Sequence, residues 1–330
     1  MINIFNIQIH PRVLFFSVIA ILSSQVVYSA SENKFPNHPI RIITTDPGGA
    51  ADIAARLIAP TLSASLGQPV YIDNRSGGGS ITAIETVINS APDGHTLLLY
   101  GSPVWLMQLM KSNLPWDPIR DLSPVSLVIT QPNVLVVNPS LSVKNVQELI
   151  NFAKLKPGEL NYSSGSVGAS NHLAAELFNS MAKTKIERIP YKGGGAALLG
   201  LLSNQTQLMF GTAASVKPQI ETGKLRALAV TSNKPSILFP DLPTVASSGL
   251  PGYEALTLYA LFAPAKTPKN VINIINQEVV KALNRSDVKE KLLKSGNEAT
   301  PTSPEGLAKI IDDDIVRWGK IIHEANIKVD

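Results

Sequence analysis

The chain has 330 residues, a length that suits two domains better than one. Its residues are 44% hydrophobic and 16% charged, which excludes a disordered protein. The net charge is only +4 and Lys and Arg form no basic run, so we expect no nucleic-acid partner. The absence of cysteine excludes disulfides, thiolate metal sites and a cysteine nucleophile.

The first 30 residues are typical of a secretory signal peptide. Arg12 precedes an apolar block from Val13 to Leu22, and small and polar residues follow up to Ala30. The block is shorter than the roughly 20 apolar residues that span a bilayer, so cleavage near Ser29 or Ala30 is favoured over a membrane anchor. We therefore expect an exported, soluble mature protein.

The first predicted elements are a strand and a helix joined by a glycine turn. Ile42 and Ile43 begin an apolar, β-branched run that predicts a buried strand. Gly48 and Gly49 end it, and a helical pattern starts near Ile53. Such a helix directs free N–H groups and its positive dipole end into the turn, which suits a carboxylate. An ordinary strand-to-helix connection is the alternative.

The next stretch continues the alternation. Pro60 predicts a kink or an early end of the first helix. Strands are predicted at Val70–Ile72 and His95–Tyr100, with a glycine-rich turn at Asn74–Ser80 and a helix from Ile81 between them. The turn is not a nucleotide P-loop, because no Gly-Lys-Ser/Thr follows it. The alternation predicts a parallel sheet that binds ligands beyond its carboxyl edge, with this turn as a second wall or a flexible connection.

A second alternating set begins at Val134–Val137, after a predicted strand at Val125–Ile129. Ser142 is predicted to cap the helix that follows. The hydroxyls of the serine–glycine turn Ser163–Ser170 can donate to an anionic oxygen, although a plain loop would have the same composition. The other predicted elements of this set are strands at Leu160–Tyr162, Ile186–Ile189, Leu208–Phe210 and Leu225–Val230, and helices at Asn171–Met181 and Ala196–Leu202.

The last part of the chain has proline-rich surface segments, a predicted strand at Tyr259–Phe262 and two amphipathic helices. Thr267, followed by Pro268, predicts the start of one helix, and Ser303 predicts the start of the other. The run Asp312–Asp314 lies inside the second helical pattern and lacks the spacing of a calcium loop, so we interpret it as a solvated face.

Helices this amphipathic need a sheet to pack on, so we predict that the chain crosses from one lobe to another and returns. The predicted parts are the signal peptide (1–30), lobe 1 (31–131), lobe 2 (132–236) and the return of the chain to lobe 1 (237–330). The glycine turns would line the cleft between the lobes.

The motifs of the whole chain resemble those of tripartite tricarboxylate transporter substrate-binding proteins, the Bug or TctC family of exported solute receptors. The resemblance extends from about Pro36 to the C-terminus. The matching segments are Pro47–Arg56, Asp73–Gly79, Tyr162–Gly168, His172–Glu176, Pro190–Gly194, Gly223–Ser232, Leu242–Val245 and Gly249–Tyr253.

The resemblance implies an α/β, type II periplasmic-binding fold, whose two lobes close on a small carboxylate in the periplasm. It implies a monomeric receptor, without catalysis, cofactor or metal, that delivers its ligand to the membrane permease of a tripartite tricarboxylate transporter. The ligand-binding residues carried over by position are Gly48, Gly49, Asp52, Ser163, Ser164, Gly165 and Ser166, with Gly77 and Gly78 near the distal end of the ligand.

Four positions depart from the family pattern. Asp46 stands where the family has an apolar or small residue, and a carboxylate beside an anion site repels the anion. Asp46 therefore joins the predicted ligand-binding residues and favours a ligand with an amine or amide group. Ser76 stands where proline is common. Gln207 and Gly211 stand where aspartates are frequent, so an acidic contact near Phe210 is expected to be missing.

Other functions fit the same residues less well. His172 and Glu176 share a helix face, but a metal site needs a further ligand, so we expect a helix-surface pair. The segment Gly165–Gly168 lacks the spacing of a nucleophile elbow, and no histidine is placed as a base, which disfavours a hydrolase. A sensory receptor that engages a signalling protein would need the same cleft, and the sequence does not separate it from a transport receptor.

Overall fold

Strands form where apolar and β-branched residues run together. The computed structural model describes residues 35–45, 47–75 and 81–329. The predicted signal peptide, Asp46, Gly77 and Gly78 lie outside the described residues. The strands are β1 (Ile40–Thr44), β2 (Val70–Asn74), β3 (Thr96–Gly101), β4 (Leu122–Val137), β5 (Asn161–Ser164), β6 (Glu187–Pro190), β7 (Leu208–Thr212), β8 (Arg226–Val230), β9 (Leu256–Pro264) and β10 (Glu298–Ala299).

Helices fill most of the connections between these strands. They are α1 (Ala50–Leu66), α2 (Ile81–Ile88), α3 (Pro103–Met110), α4 (Pro118–Asp121), α5 (Val146–Leu155), α6 (Ser170–Ala182), α7 (Gly194–Leu202), α8 (Ala213–Glu221), α9 (Lys269–Asn284), α10 (Ser286–Lys294) and α11 (Pro304–Glu324). Within the described ranges, no helix combines the length and the apolar character that crossing a membrane requires.

The first three strands follow the predicted alternation. β1 pairs in parallel with both β2 and β3, and α1 and α2 form the connections. Pro60 does not end α1, which continues to Leu66 and is closed by Gly67 at φ +69°. The predicted early end is therefore wrong. The burial of Ala59 and Leu62 beside Pro60 stabilises the helix against the loss of one backbone hydrogen bond.

The complete sheet is mixed: the predicted parallel pairing is found among β1, β2 and β3, and parallel pairs also join β5 to β6 and to β7. β9 lies between β3 and β4 and runs antiparallel to both, because the chain returns beside β4 without a crossover helix. β4 is a single strand of 16 residues. The strands predicted at Val125–Ile129 and Val134–Val137 are parts of it, and Pro132, paired with Leu256, does not interrupt it.

β4 belongs to two parts of the sheet. Its residues 122–132 pair with β9, and its residues 133–137 pair with β7. We call β1, β2, β3, β9, β10 and the first section of β4 the first sheet part, and β5 to β8 with the rest of β4 the second sheet part. The residues from Pro36 onward form one compact unit, so the predicted lobe limits stay a prediction.

The helix after β4 begins later than predicted. α5 starts at Val146, because Asn145 and not Ser142 is its N-cap. Asn145 Oδ1 accepts from the Glu148 N–H at 2.8 Å, and Asn145 Nδ2 donates to Glu148 Oε1 at 2.8 Å. This reciprocal pair is a form of the capping box, which fixes where the helix begins.

The two C-terminal amphipathic helices differ in how they start. Pro268 is the N-cap of α9, and the Thr267 hydroxyl donates to the Pro264 carbonyl at 2.7 Å, so the predicted threonine cap is wrong. Ser303 caps α11 as predicted, since its side chain accepts from the Gly306 N–H at 3.0 Å.

One residue of the acidic run in α11 is buried. Asp314 accepts a hydrogen bond from Trp105 Nε1 at 2.8 Å, which joins α11 to α3. It lies on the same helix face as the buried Ile311 and Trp318, because residues three and four apart share a face. Burial raises the pKa of Asp314 above its usual value. The predicted solvated face is therefore correct for 312–313 and wrong for Asp314.

Candidate functional site

One buried carboxylate holds the first glycine turn. Gly48 has φ +77°, and its N–H donates to Asp52 Oδ2 at 2.9 Å. Asp52 is 3% exposed and also accepts from Arg56 Nε at 3.0 Å and from Asn74 Nδ2 at 2.9 Å. Gly49 is the N-cap of α1. Asp52 and Gly48 therefore brace the turn, and their polar groups are already hydrogen-bonded within the protein.

The charge of Asp52 is set by its partners. Burial alone would raise the pKa of Asp52, but the hydrogen bonds from Arg56, Gly48 and Asn74 outweigh it and hold that pKa below its usual value. Asp52 is consequently ionised at neutral pH. Because Arg56 neutralises this carboxylate, an anion at the turn would meet little net repulsion from it.

The serine–glycine turn is anchored by Arg188 of the neighbouring strand β6. Ser163 and Ser164 are both fully buried. Arg188 Nε donates to Ser164 Oγ at 2.7 Å, and its Nη2 donates to the Gly165 carbonyl at 2.8 Å. Among the described residues, the Ser164 proton reaches only the Gly165 carbonyl, at 3.4 Å, so a closer acceptor would capture it. Ser163 Oγ has no hydrogen-bond partner among the described residues, and Ser166 is exposed.

A buried polar network lies under this turn. The Tyr162 hydroxyl donates to Glu176 Oε1, which lies 4.0 Å from His172 Nε2. His172 Nδ1 accepts from the Gly168 N–H at 3.0 Å. His172 is only 5% exposed, so the predicted helix-surface pair is wrong. Burial lowers the pKa of His172 to about 4, which keeps the imidazole neutral at pH 7. Burial also raises the pKa of Glu176.

A cavity of about 190 Å³ opens where the two sheet parts meet. The first sheet part contributes the carboxyl end of β3 and the amino end of α3, at Gly101–Pro103. The second contributes the amino end of α6, at Gly168–Ser170. None of the described lining residues is charged. Two helix amino ends therefore direct their positive dipole ends into an uncharged cavity.

A close contact at Gly168 brings the serine–glycine turn near the first sheet part. Gly168 has φ +74°, and a Cβ atom built on it would lie 2.5 Å from Met110 Sδ of α3. A larger residue would therefore be strained by the backbone angle and would require the end of the Met110 side chain to move. The turn faces the first sheet part across the cavity.

None of the predicted ligand-binding residues that the structure describes lines the cavity. It touches the serine–glycine turn at Gly168–Ser170 rather than at Ser163–Ser166. Gly48, Gly49 and Asp52 are not among its described lining residues. The predicted roles of these residues therefore stay predictions, and the hydrogen bonds above define Asp52 as a brace of the turn.

Sequence analysis missed two segments of the cavity wall. Tyr100–Pro103 had a detectable signal, because a buried strand followed by Ser-Pro marks a helix start at the carboxyl edge of a sheet. Thr257 had no detectable signal, because it lies before the strand that the sequence predicts at Tyr259–Phe262. Thr257 Oγ1 is buried in the cavity wall and has no hydrogen-bond partner among the described residues. Buried hydroxyls normally have a partner, so this one points to a ligand or a bound water.

A larger groove of about 500 Å³ follows β9 on the side that Leu258 faces. Its acidic groups already have partners in the protein. Arg317 Nη1 lies 3.0 Å from Glu254 Oε2, and the Ser236 hydroxyl donates to Glu298 at 2.6 Å. Acidic side chains outnumber basic ones among its described lining residues, which disfavours an anion there.

Two departures from the family pattern have structural explanations. Gln207 Oε1 accepts from the Asn161 N–H at 2.9 Å and so joins β7 to β5. A Cβ atom on Gly211 would lie 2.2 Å from Val216 Cγ1, so the position is too tight for an aspartate. Neither position supplies an acidic contact near Phe210.

The mixed sheet crossed by β4, with a cavity between its two parts, is an α/β fold similar to that of solved periplasmic binding proteins. The model of the "Tripartite tricarboxylate transporter family receptor" family, TctC, matches residues 54–327. The chain belongs to this family, which consists of periplasmic solute-binding receptors and not of enzymes. The resemblance and the fold class inferred from the sequence are thereby confirmed.

Individual relatives cover nearly the whole chain. Protein BugT of Bordetella pertussis is 36% identical over 315 residues, which cover 94% of this chain and 96% of BugT. The solved structure of R. palustris Rpa4515 with adipate is 33% identical, with a TM-score of 0.76, and covers 89% of this chain and 99% of its own. MatC (Rpa3494) from Rhodopseudomonas palustris with bound malate is 29% identical, with a TM-score of 0.70, and covers 87% and 100%.

Proposed function

We propose that the protein is a periplasmic receptor that captures a small carboxylate between the two sheet parts and delivers it to a tripartite tricarboxylate transporter. The observation that carries this proposal is the uncharged cavity into which α3 and α6 open from opposite sides. A carboxylate there would accept hydrogen bonds from backbone N–H groups and meet two positive dipole ends.

The size and chemistry of the cavity support a compact ligand with few charged contacts. A volume of about 190 Å³ is smaller than the roughly 300–1,000 Å³ of sites for drug-sized molecules, which favours a compact ligand. Relatives with adipate and with malate bound support an aliphatic dicarboxylate or a close derivative. Asp46, which precedes the first turn, favours a derivative with an amine or amide at one end.

The proposed binding residues form two groups, and those that the structure describes lie outside the cavity lining. The first turn would contribute Asp46, Gly48, Gly49 and Asp52, with Asp52 acting through the turn that it braces, and Gly77 and Gly78 would approach the distal end of the ligand. The second turn would contribute Ser163, Ser164, Gly165 and Ser166. Arg188 supports this second group, because it fixes Ser164 and Gly165 from behind.

Titration of the purified, ligand-free protein with malate, adipate and their monoamides tests the binding proposal. We expect saturable binding of at least one compound, with a rise in Tm. Ala169→Phe, which would fill the cavity from the start of α6, should abolish binding. Ala325→Phe adds the same ring at an exposed site and should leave binding intact. No melting shift with any compound, or equal binding by Ala169→Phe, would contradict the proposal.

Delivery to a transporter is tested separately in cells. Deletion of the gene should abolish uptake of the ligand identified by titration. If uptake persists while a transcriptional response to the ligand is lost, the protein is a sensory receptor instead. The two functions share a cleft, so binding data alone do not separate them.

A further inference from the structure

Two histidines and an aspartate meet at the amino edge of the sheet, at the opposite end of β3 from the cavity. His38 precedes β1 and His95 precedes β3, and the Arg41 N–H donates to the His95 carbonyl at 2.8 Å. Asp93 Oδ1 accepts from the His95 N–H at 2.9 Å in the turn before β3. One ligand atom from each of the three side chains lies within 4.8 Å of those of the other two.

The geometry combines one fixed side chain with two adjustable ones. His95 is 8% exposed, whereas His38 and Asp93 are exposed. The two imidazole rings stack with centroids 3.6 Å apart and planes inclined by 15°, and His95 Nδ1 lies 3.3 Å from Asp93 Oδ1. A tetrahedral ion with bonds of about 2.0–2.2 Å needs ligand atoms roughly 3.4 Å apart. The stacked rings present their lone pairs in nearly parallel planes, so His38 would have to turn out of the stack before its nitrogen and one of His95 could face the same ion.

The side chain of Asn37 orients one of the two rings. His38 Nδ1 lies 2.6 Å from Asn37 Oδ1, and an amide oxygen can only accept, so Nδ1 carries the proton. His38 Nε2 then presents its lone pair. Ligating histidines commonly donate their other ring N–H to an oxygen in this way, which fixes the tautomer.

We propose that His38, Asp93 and His95 bind a divalent first-row transition metal ion such as Zn²⁺. Two imidazole nitrogens and one carboxylate oxygen suit Zn²⁺, Ni²⁺ or Cu²⁺, whereas Mg²⁺ and Ca²⁺ prefer oxygen ligands throughout. Water would complete the tetrahedron. A histidine pair that only stacked beside a turn would not require a carboxylate near both rings, or the contact between His38 Nδ1 and Asn37 Oδ1.

Sequence analysis predicted no metal, because His38 and His95 meet only through the pairing of β1 with β3.

The ion would join the segment before β1 to the turn before β3. The cavity lies at the carboxyl end of β3 and the histidines at its amino end. Metal binding should therefore stabilise the fold without changing the affinity for a carboxylate. This independence separates a failure of the metal site from a failure of the proposed receptor function.

Calorimetric titration of the tag-free protein with ZnCl₂ alone at pH 7 tests the site. We expect one Zn²⁺ per chain and a rise in Tm. Asn37→Ala should weaken binding about tenfold, since outer-shell partners contribute about 10–100-fold. His38→Ala removes a ligand and should weaken binding more. His323→Ala removes an exposed histidine of α11 and should bind as the unaltered protein does.

Three results would overturn the proposal. The first is no Zn²⁺ binding by the unaltered protein, and the second is equal affinity in His38→Ala. The Tm values of the variants without metal check their folding, and Asp93→Asn provides a second ligand variant if His38→Ala is unfolded. A loss of binding in His323→Ala would place the ion on α11 and would equally refute the site.

Discussion

The buried Thr257 hydroxyl has no hydrogen-bond partner among the described residues, which costs folding stability. A hydrogen bond from this hydroxyl to a ligand would explain why the cost is tolerated. Thr257→Val should raise the unfolding free energy of the ligand-free protein, because an unpaired buried polar group costs about 1–3 kcal/mol. It should also lower ligand affinity about tenfold or more, since a hydrogen bond to a charged group contributes about 1.5–3 kcal/mol. Chemical denaturation and calorimetry measure the two effects.

Thr300→Val is the matched control for Thr257. Thr300 Oγ1 is also buried without a partner among the described residues, but it lies beside the larger groove. This variant should show the gain in stability and keep the ligand affinity. Equal affinities of Thr257→Val and the unaltered protein would show that the Thr257 hydroxyl does not contact the ligand.

Asp52 braces the first turn through its charge. Asp52→Asn should lower the unfolding free energy at pH 7 by about 1–3 kcal/mol, because it weakens bonds from Arg56 and Gly48. The folded-state pKa of Asp52 is depressed, so its contribution is present above the usual value of 3.8 and is lost as pH falls through the folded pKa. The difference between variant and parent should shrink in acid, whereas Asp312→Asn on the exposed face of α11 should change little at any pH.

At the scale of elements, β5 and α6 are joined by the network under the serine–glycine turn. His172 has a folded pKa of about 4 against a usual 6.5, so the unfolded chain takes up the proton first as pH falls. Its contribution to stability, about 3 kcal/mol, is present above pH 6.5 and is lost as pH falls towards 4. Denaturation at several pH values should show this loss.

His172→Gln keeps an acceptor for the Gly168 N–H and does not titrate, so most of this pH dependence should disappear. His323→Gln, at an exposed position of α11, should retain it. An unchanged pH profile in His172→Gln would mean that other groups cause the acid sensitivity.

Elements with a local signal were predicted well, and elements fixed by distant pairing were not. α6 and β8 lie within a residue or two of their predicted bounds, because an amphipathic face or an apolar run is visible locally. The start of α5 was wrong although Asn145 and Glu148 have the spacing of a capping box. Thr257 enters the cavity because β9 pairs with both β3 and β4, which no local pattern indicates.

At the scale of the whole molecule, a ligand between the two sheet parts must restrain both. Hydrogen exchange with saturating ligand should show added protection at the start of α1 and of α3 and also in the serine–glycine turn. At 100-fold excess over Kd the added stability is about 2.7 kcal/mol. Protection confined to one sheet part would contradict a site shared by both.

β4 also limits how such receptors can be recombined. Because its two sections complete different parts of the sheet, a cut near residue 132 would leave each fragment with an unfilled edge, which invites aggregation. Neither fragment should therefore be obtainable as an independent module. A chimaera of two receptors would have to take β4 and β9 from the same parent. This strand pair, rather than either half of the sheet, is therefore the segment that must be exchanged as a whole.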